Sequence, residues 1–301
     1  MPLHSGNSKT GFSLKIVPEM KHAYITLLSI FSFLSVHAWN DNNPMGARSS
    51  GLGNASVSFG DVWSAHHNQA GLGFVRNISA GAYYENRFLL KEISIKGGAV
   101  AVPVKGGTFG LCISNYGYSL YHENKYSLSF AKAFGEKLSF GLAMDYLSTT
   151  IAEGYGNKGV LAGEFGIQAK PLKGLTIGAH VFNPTRTKIA DYDTERLPTI
   201  IRFGGDYNFS DKVTLAVETE KDIAQKAIFK AGIEYKPVKE LYLRVGVGTN
   251  PTLTSFGFGI NLKNFKIDVS GNYHQTLGIS PQLGLTYIFQ KTEATSAKVG
   301  Q

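Results

Sequence analysis

The residue types that could do chemistry are scattered along this chain rather than clustered. Gly-x-Ser-x-Gly is absent, so no nucleophile elbow is present. A Gly-x-x-x-x-Gly-Lys-Ser/Thr phosphate loop is absent too. His122-Glu123-Asn124-Lys125-Tyr126 begins like a zincin helix but lacks the second His. Without two ligands one helical turn apart, that motif cannot grip zinc. His66-His67 brings two imidazoles together in sequence, yet adjacent side chains point apart in most backbones. Gly-x-Gly occurs at Gly51/Gly53, Gly71/Gly73, Gly246/Gly248 and Gly257/Gly259. The last two pairs lie in strand-like segments, whereas a dinucleotide loop needs a following helix. One cysteine in 301 residues excludes an intrachain disulfide framework and a thiolate metal cage. The reading is a non-enzymatic protein with no metal, no cofactor and no catalytic residue. A weaker alternative is a barrel hydrolase built on His180, with Asp145 or Glu218 as a partner.

The remaining polar residues acquire meaning from periodicity. Leu241, Leu243, Val245 and Val247 alternate with Tyr242, Arg244, Gly246 and Gly248. Phe256, Phe258, Ile260 and Leu262 alternate with Ser255, Gly257, Gly259 and Asn261. Leu138 to Tyr146 and Gln282 to Phe289 do the same. Period two means strands with one apolar and one polar face. Such segments start near residues 76, 91, 107, 123, 137, 158, 174, 197, 212, 226, 240, 253, 265 and 281. Their spacing leaves about 9–11 residues for each strand, the length of a tilted membrane-crossing strand. The even count fits a closed antiparallel barrel of about fourteen strands.

The connections support this. One set is tight and Lys-bearing, as at Lys105-Gly106-Gly107, Gly135-Glu136-Lys137 and Lys263-Asn264. The other is generally longer, led by Asn183 to Arg196. Short periplasmic turns and longer outer loops are the pattern of a transmembrane barrel. Tyr83, Tyr84, Tyr116, Tyr118, Tyr146, Tyr235, Tyr273 and Tyr287 fall near strand ends, where interfacial girdles sit. A soluble sandwich would also alternate, but with shorter strands. A propeller would show a blade-length repeat, and none is found.

Strand phase turns Arg202, Asp206, Glu218, Lys230, Glu234, Arg244 and Asp268 inward, along with His180. Two readings stay open for them: a charged lining for a solute path, or a salt-bridged filling of a closed barrel. The net charge of +8 carries no basic run, so nucleic acid is not a predicted partner.

Ahead of the strands, Ala23 to Val36 is a 14-residue apolar run after Met20-Lys21-His22, ending in Val36-His37-Ala38. Positive start, short apolar middle and small-residue exit predict a signal peptide over residues 1–38, with Met20 as its start. Residues 39–75 then form a separate segment rich in Gly, Ala and Ser. Asp61 is placed to cap a short helix through Ala65, stopped near Gly71 and Gly73. The segment suits a plug inside the barrel, with a periplasmic extension as the alternative. Residues 76–290 form the barrel and 291–301 a polar periplasmic tail.

Met45-Gly46-Ala47-Arg48-Ser49-Ser50-Gly51-Leu52-Gly53-Asn54-Ala55 resembles the "GARAxGMGGA" opening of FadL-like outer-membrane barrels, especially their PorV/PorQ-like branch in Bacteroidetes-type bacteria. Asn68-Gln69-Ala70-Gly71-Leu72 is similar to that family's "NPAGL" signature, with Gln69 in place of Pro. The resemblance implies a fourteen-stranded barrel in a Gram-negative outer membrane, its N-terminal segment folded inside as a hatch. Gly46, Arg48, Gly51, Gly53, Asn68 and Gly71 are then the hatch residues. It implies a role as an accessory of type IX protein secretion, with secretion-system proteins or secreted cargo as partners. The alternative it implies is passive transport of hydrophobic or small solutes, with outer-membrane lipid around the barrel in either case.

Overall fold

The computed structural model describes residue 42 and residues 44–152, 156–188 and 196–290. The signal peptide and the polar tail expected from the sequence lie outside the described residues, as does the middle of the Asn183–Arg196 connection. The fold is a closed antiparallel barrel of fourteen strands, each paired with its sequence neighbours. They are β1 (Ser79–Asn86), β2 (Ser94–Val104), β3 (Gly107–Gly117), β4 (Tyr121–Phe134), β5 (Leu138–Ile151), β6 (Gly156–Leu172) and β7 (Leu175–Phe182). The circuit continues with β8 (Ile200–Asn208), β9 (Val213–Asp222), β10 (Ile228–Tyr235), β11 (Leu241–Gly248), β12 (Leu253–Leu262), β13 (Phe265–His274) and β14 (Gly278–Ile288). β1 closes on β14 with Ser79 opposite Ile288 and Glu85 opposite Gln282. Closure leaves no unpaired strand edge, which a sheet in lipid requires.

The alternation read from the sequence becomes two chemically distinct faces. On β11, Leu243, Val245 and Val247 point outward and are exposed, while Arg244, Gly246 and Gly248 are buried inside. Phe256, Phe258 and Leu285 are likewise outward and exposed, and Phe140 shares that face half-buried. Apolar side chains cover the outside on nearly every strand, far beyond the patches that soluble monomers show. That surface is a lipid-facing one, and the barrel is a transmembrane barrel. Tight turns sit at one end. In the connection from β2 to β3, Gly106 takes φ +114°, a conformation open to glycine at little cost. β6 carries a register shift between Ala169 and Leu172, around Pro171, which has no N–H for the ladder. β4, β5 and β6 are the longest strands, so the wall stands tallest there.

The girdle expectation needs correction at two positions. Tyr83 and Tyr116 face the interior, where Tyr83 stands edge-on to Trp63 and Tyr116 packs against the same apolar cluster. Their strand phase put them inside. Closeness to a strand end was the wrong criterion. Tyr84, Tyr118, Tyr146, Tyr235 and Tyr273 are outward and exposed.

Residues 44–75 fill the barrel interior. They form α1 (Ala47–Ser50), α2 (Ser64–His67) and a 3-10 turn over Gln69–Phe74. The helix expected from Asp61 to Ala65 starts later. The Asp61 carboxylate accepts from the Trp63 N–H at 2.9 Å, a turn before α2, and α2 itself begins at Ser64 without a side-chain cap. Gly71 and Gly73 lie within the 3-10 turn rather than ending α2.

Candidate functional site

The hatch is a stretch of small residues, and its seat on the wall is built from glycines. A Cβ on Gly246 of β11 would stand 2.1 Å from the Gly53 nitrogen. One on Gly166 of β6 would meet Asn68 Oδ1 at 2.0 Å, and one on Gly178 of β7 would meet the Val57 carbonyl at 2.4 Å. Gly51 and Gly257 meet backbone to backbone, each ideal Cβ 3.0 Å from the other's Cα. Gly246 and Gly248 of β11 and Gly257 of β12 are therefore where the hatch's own Gly51-Leu52-Gly53 nests. Two apolar clusters complete the packing. Met45, Ala47, Val62, Trp63, Ala65 and Leu72 meet Tyr83, Ile95, Ala99, Ala101, Cys112 and Ala131 of the wall. Leu52, Ala55 and Phe59 meet Ala216.

Within the hatch, Gly46 sits under the Trp63 ring at φ +97°, and a Cβ on Gly71 would strike the Phe59 carbonyl at 2.2 Å. Asn68 is the centre of the seat. Its Nδ2 donates to the Val57 carbonyl at 2.7 Å and reaches the Ile167 and Ala179 carbonyls on the wall at 3.3 Å. Its Oδ1 accepts from the Ala70 N–H at 3.2 Å. Gln168 donates to the Val57 and Phe59 carbonyls, both at 3.0 Å.

Three inward carboxylates hold the hatch at three points around the barrel. Glu234 of β10 takes Arg48 through two hydrogen bonds of 3.0 and 2.9 Å, and Arg244 at 2.7 Å. Arg244 also donates to Asp268 at 2.6 Å. Glu218 of β9 accepts the backbone N–H groups of Ser56 and Val57 at 2.7 and 2.8 Å, and Lys230 at 2.9 Å. Glu164 of β6 accepts from Gln69 and His180 at 2.5 and 2.8 Å, and pairs with Lys125. Lys125 also reaches Asp145 at 3.3 Å and donates to the Asn42 side chain at 3.1 Å. Arg202 joins Glu220 at 2.8 Å and donates to the Asn42 carbonyl at 2.8 Å. Asp206 is hydrogen-bonded by Ser58.

All seven inward charges named from the sequence thus meet the hatch or the groups that hold it, Asp268 through Arg244. Glu218, Glu234, Arg202 and Asp206 touch the hatch chain, while Lys230 and Arg244 fix the carboxylates that do. Arg48 is also stacked 4.3 Å over the Phe59 ring. Burial acts to lower its pKa, but Glu234 and then Asp61 outweigh that and hold it above the ordinary arginine value. For His67, burial and next the Arg202 charge push the pKa down to about 4, so this imidazole is neutral in the closed hatch. His66 and His67 are both buried in α2, their rings edge-on at 5.6 Å. His180 is buried with its Nε2 on Glu164, which makes it part of the hatch seat.

Sequence reasoning missed Lys125, Glu164 and Glu220 as members of this network. Phase could have found them: Lys125 lies in step with Ser127 and Ser129, and Glu164 with Gly166 and Gln168. Gln69, the departure from the "NPAGL" pattern, supplies the amide that reaches Glu164.

The hatch divides the interior. On the long-loop side lies a cavity of about 310 Å³ reaching Asn42, Gly53 and Asn54. On the short-turn side lies one of about 650 Å³ reaching Arg48. Fold and site together define a fourteen-strand membrane barrel with its own N-terminal segment seated in the lumen.

No protein-family model and no curated protein sequence matches the chain. Solved structures do. The toluene transporter TbuX of Ralstonia pickettii aligns with a TM-score of 0.62 at 13% identity, covering 81% of this chain and 98% of that one. The toluene transporter TodX of P. putida gives 0.62 at 13%, covering 84% and 100%. A Pseudomonas aeruginosa FadL homologue gives 0.61 at 12%, covering 82% and 99%. At these identities the likeness is one of fold.

Proposed function

We propose that this protein is a non-enzymatic outer-membrane barrel of a Gram-negative bacterium that passes small or hydrophobic solutes when its hatch is displaced. The observation that carries the reading is the hatch itself, a seated plug between two solvent-sized cavities. A lumen closed by a self-supplied segment, pinned mostly through side chains, is a gate in its closed state. The solved structures of similar fold include toluene transporters, which favours the transport reading over the secretion-accessory one. The inward charges act as the latches of that gate, and Gly46, Arg48, Gly51, Gly53, Asn68 and Gly71 form its body and hinges. The apolar outer face meets outer-membrane lipid.

The test is uptake of radiolabelled toluene by porin-deficient cells whose lipopolysaccharide leaflet slows hydrophobic compounds. Cells producing the protein should take toluene up several-fold faster than cells with an empty vector. Equal rates, with the protein folded in the membrane, would rule out a hydrocarbon path. If deletion of the gene in its native host instead abolished export of secreted cargo, the secretion role would be the right one.

A further inference from the structure

The cavity on the short-turn side has a charge balance that the hatch latches do not use. Two of its carboxylates are already committed: the buried Glu234 to Arg48 and Arg244, and the half-buried Asp268 to Arg244. Four more cations line the same space, Lys173, Lys212, Lys236 and Lys266, facing only Asp211 at the rim. Lys236 and Lys266 are half-buried and form no ion pair among the described residues. Lys236 is held 5.9 Å over the Tyr242 ring. Asn261 and Ser210 bring polar donors to the same walls. Ammonium groups gathered in a concave mouth repel one another and focus a positive potential into it. A dianion placed among them would relieve that repulsion, and lysine suits phosphate as a point charge.

We propose that this vestibule is a binding site for a small, multiply charged oxyanion of the phosphate class. The cavity, at about 650 Å³, has room for an organic body on that group. The inference goes beyond the transport reading and does not depend on it, since it needs only the static vestibule.

The experiment is calorimetric titration of inorganic phosphate into the full protein in phosphatidylcholine nanodiscs at ~0.01 M salt, where surface charges are least screened. Phosphate should bind, neutral glycerol should not, and ~0.15 M salt should weaken the binding. Lys236→Gln with Lys266→Gln should weaken it at least tenfold. Lys226→Gln, which lines the opposite cavity, should leave it unchanged. Heat-modifiable electrophoretic mobility checks that every variant is folded. A second arm adds phosphatidylglycerol to the nanodiscs. Suppression of the phosphate heat would assign the site to a lipid headgroup, and an unchanged heat to a soluble phosphate. Absence of binding, or equal affinity in the Lys236/Lys266 double variant, would overturn the proposal. Toluene uptake is measured separately, so transport can succeed while this site fails, or the reverse.

Discussion

Glu234 holds two guanidinium groups at once, one from the hatch and one from the wall, and that makes it the most informative single residue. Removing one partner of a buried ion pair leaves an uncompensated charge, a loss of about 3–5 kcal/mol in general. Glu234→Ala leaves the buried Arg244 with Asp268 alone and frees Arg48, so a loss near the lower end, about 3 kcal/mol, is expected in urea unfolding of the lipid-inserted protein. Arg48→Ala should lose less, because its side chain is about a third exposed (32%). His67 gives a pH signature. Its folded pKa of about 4 lies below the unfolded 6.5, so between those values only the unfolded chain takes the proton. The stability from burying a neutral imidazole is full above pH 6.5 and is lost as pH falls towards 4, about 3 kcal/mol in all. The charges facing His67 are Arg202, Asp61 and Glu218. Protease sensitivity of the hatch should rise between pH ~7.5 and ~4.5, and His67→Gln should flatten that dependence. The inward placement of Arg202, Glu218 and Glu234 could be read from phase alone. Their partners could not, because Arg48 and Glu234 are 186 residues apart and nothing local in the sequence joins them.

The strands were the most legible elements, because alternation is a local property that membrane and lumen impose along the whole of each strand. Expected starts near 107, 240, 253 and 265 meet β3, β11, β12 and β13 within a residue or so. The hatch was less legible. Its composition announced a compact segment of small residues, but α1 and α2 are four-residue turns whose limits are set by the wall. Propensity says little about a helix so short. The glycines of β11 and β12 carry the clearest expectation at this scale. Gly246→Ala places a methyl 2.1 Å from the Gly53 nitrogen, so the hatch must shift while the β-ladder of the barrel persists. The expected outcome is a folded, heat-modifiable barrel with a protease-accessible hatch. Gly163→Ala, whose nearest neighbour would be 3.9 Å away, should behave as wild type. Accessibility of the hatch in both variants, or in neither, would mean that the glycine seat does not hold it.

At the scale of the whole molecule, an apolar outer face, a charged inner face and a plug assembled from the chain's own N-terminal segment form one device. The wall is kept rigid by closure, and the hatch is held by side-chain contacts that can exchange without unzipping a strand. Whether the lumen was open or filled was not legible in the sequence, since inward charges serve either purpose. In the structure the charges engage the hatch and one another. Planar-bilayer conductance tests this most directly, comparing the full protein, the Glu218→Ala/Glu234→Ala variant and a variant lacking residues 44–73. The full protein should be silent, the double variant should flicker open, and the hatchless barrel should give stable steps. Equal conductance from the full protein and the hatchless barrel would show that the segment does not close the lumen.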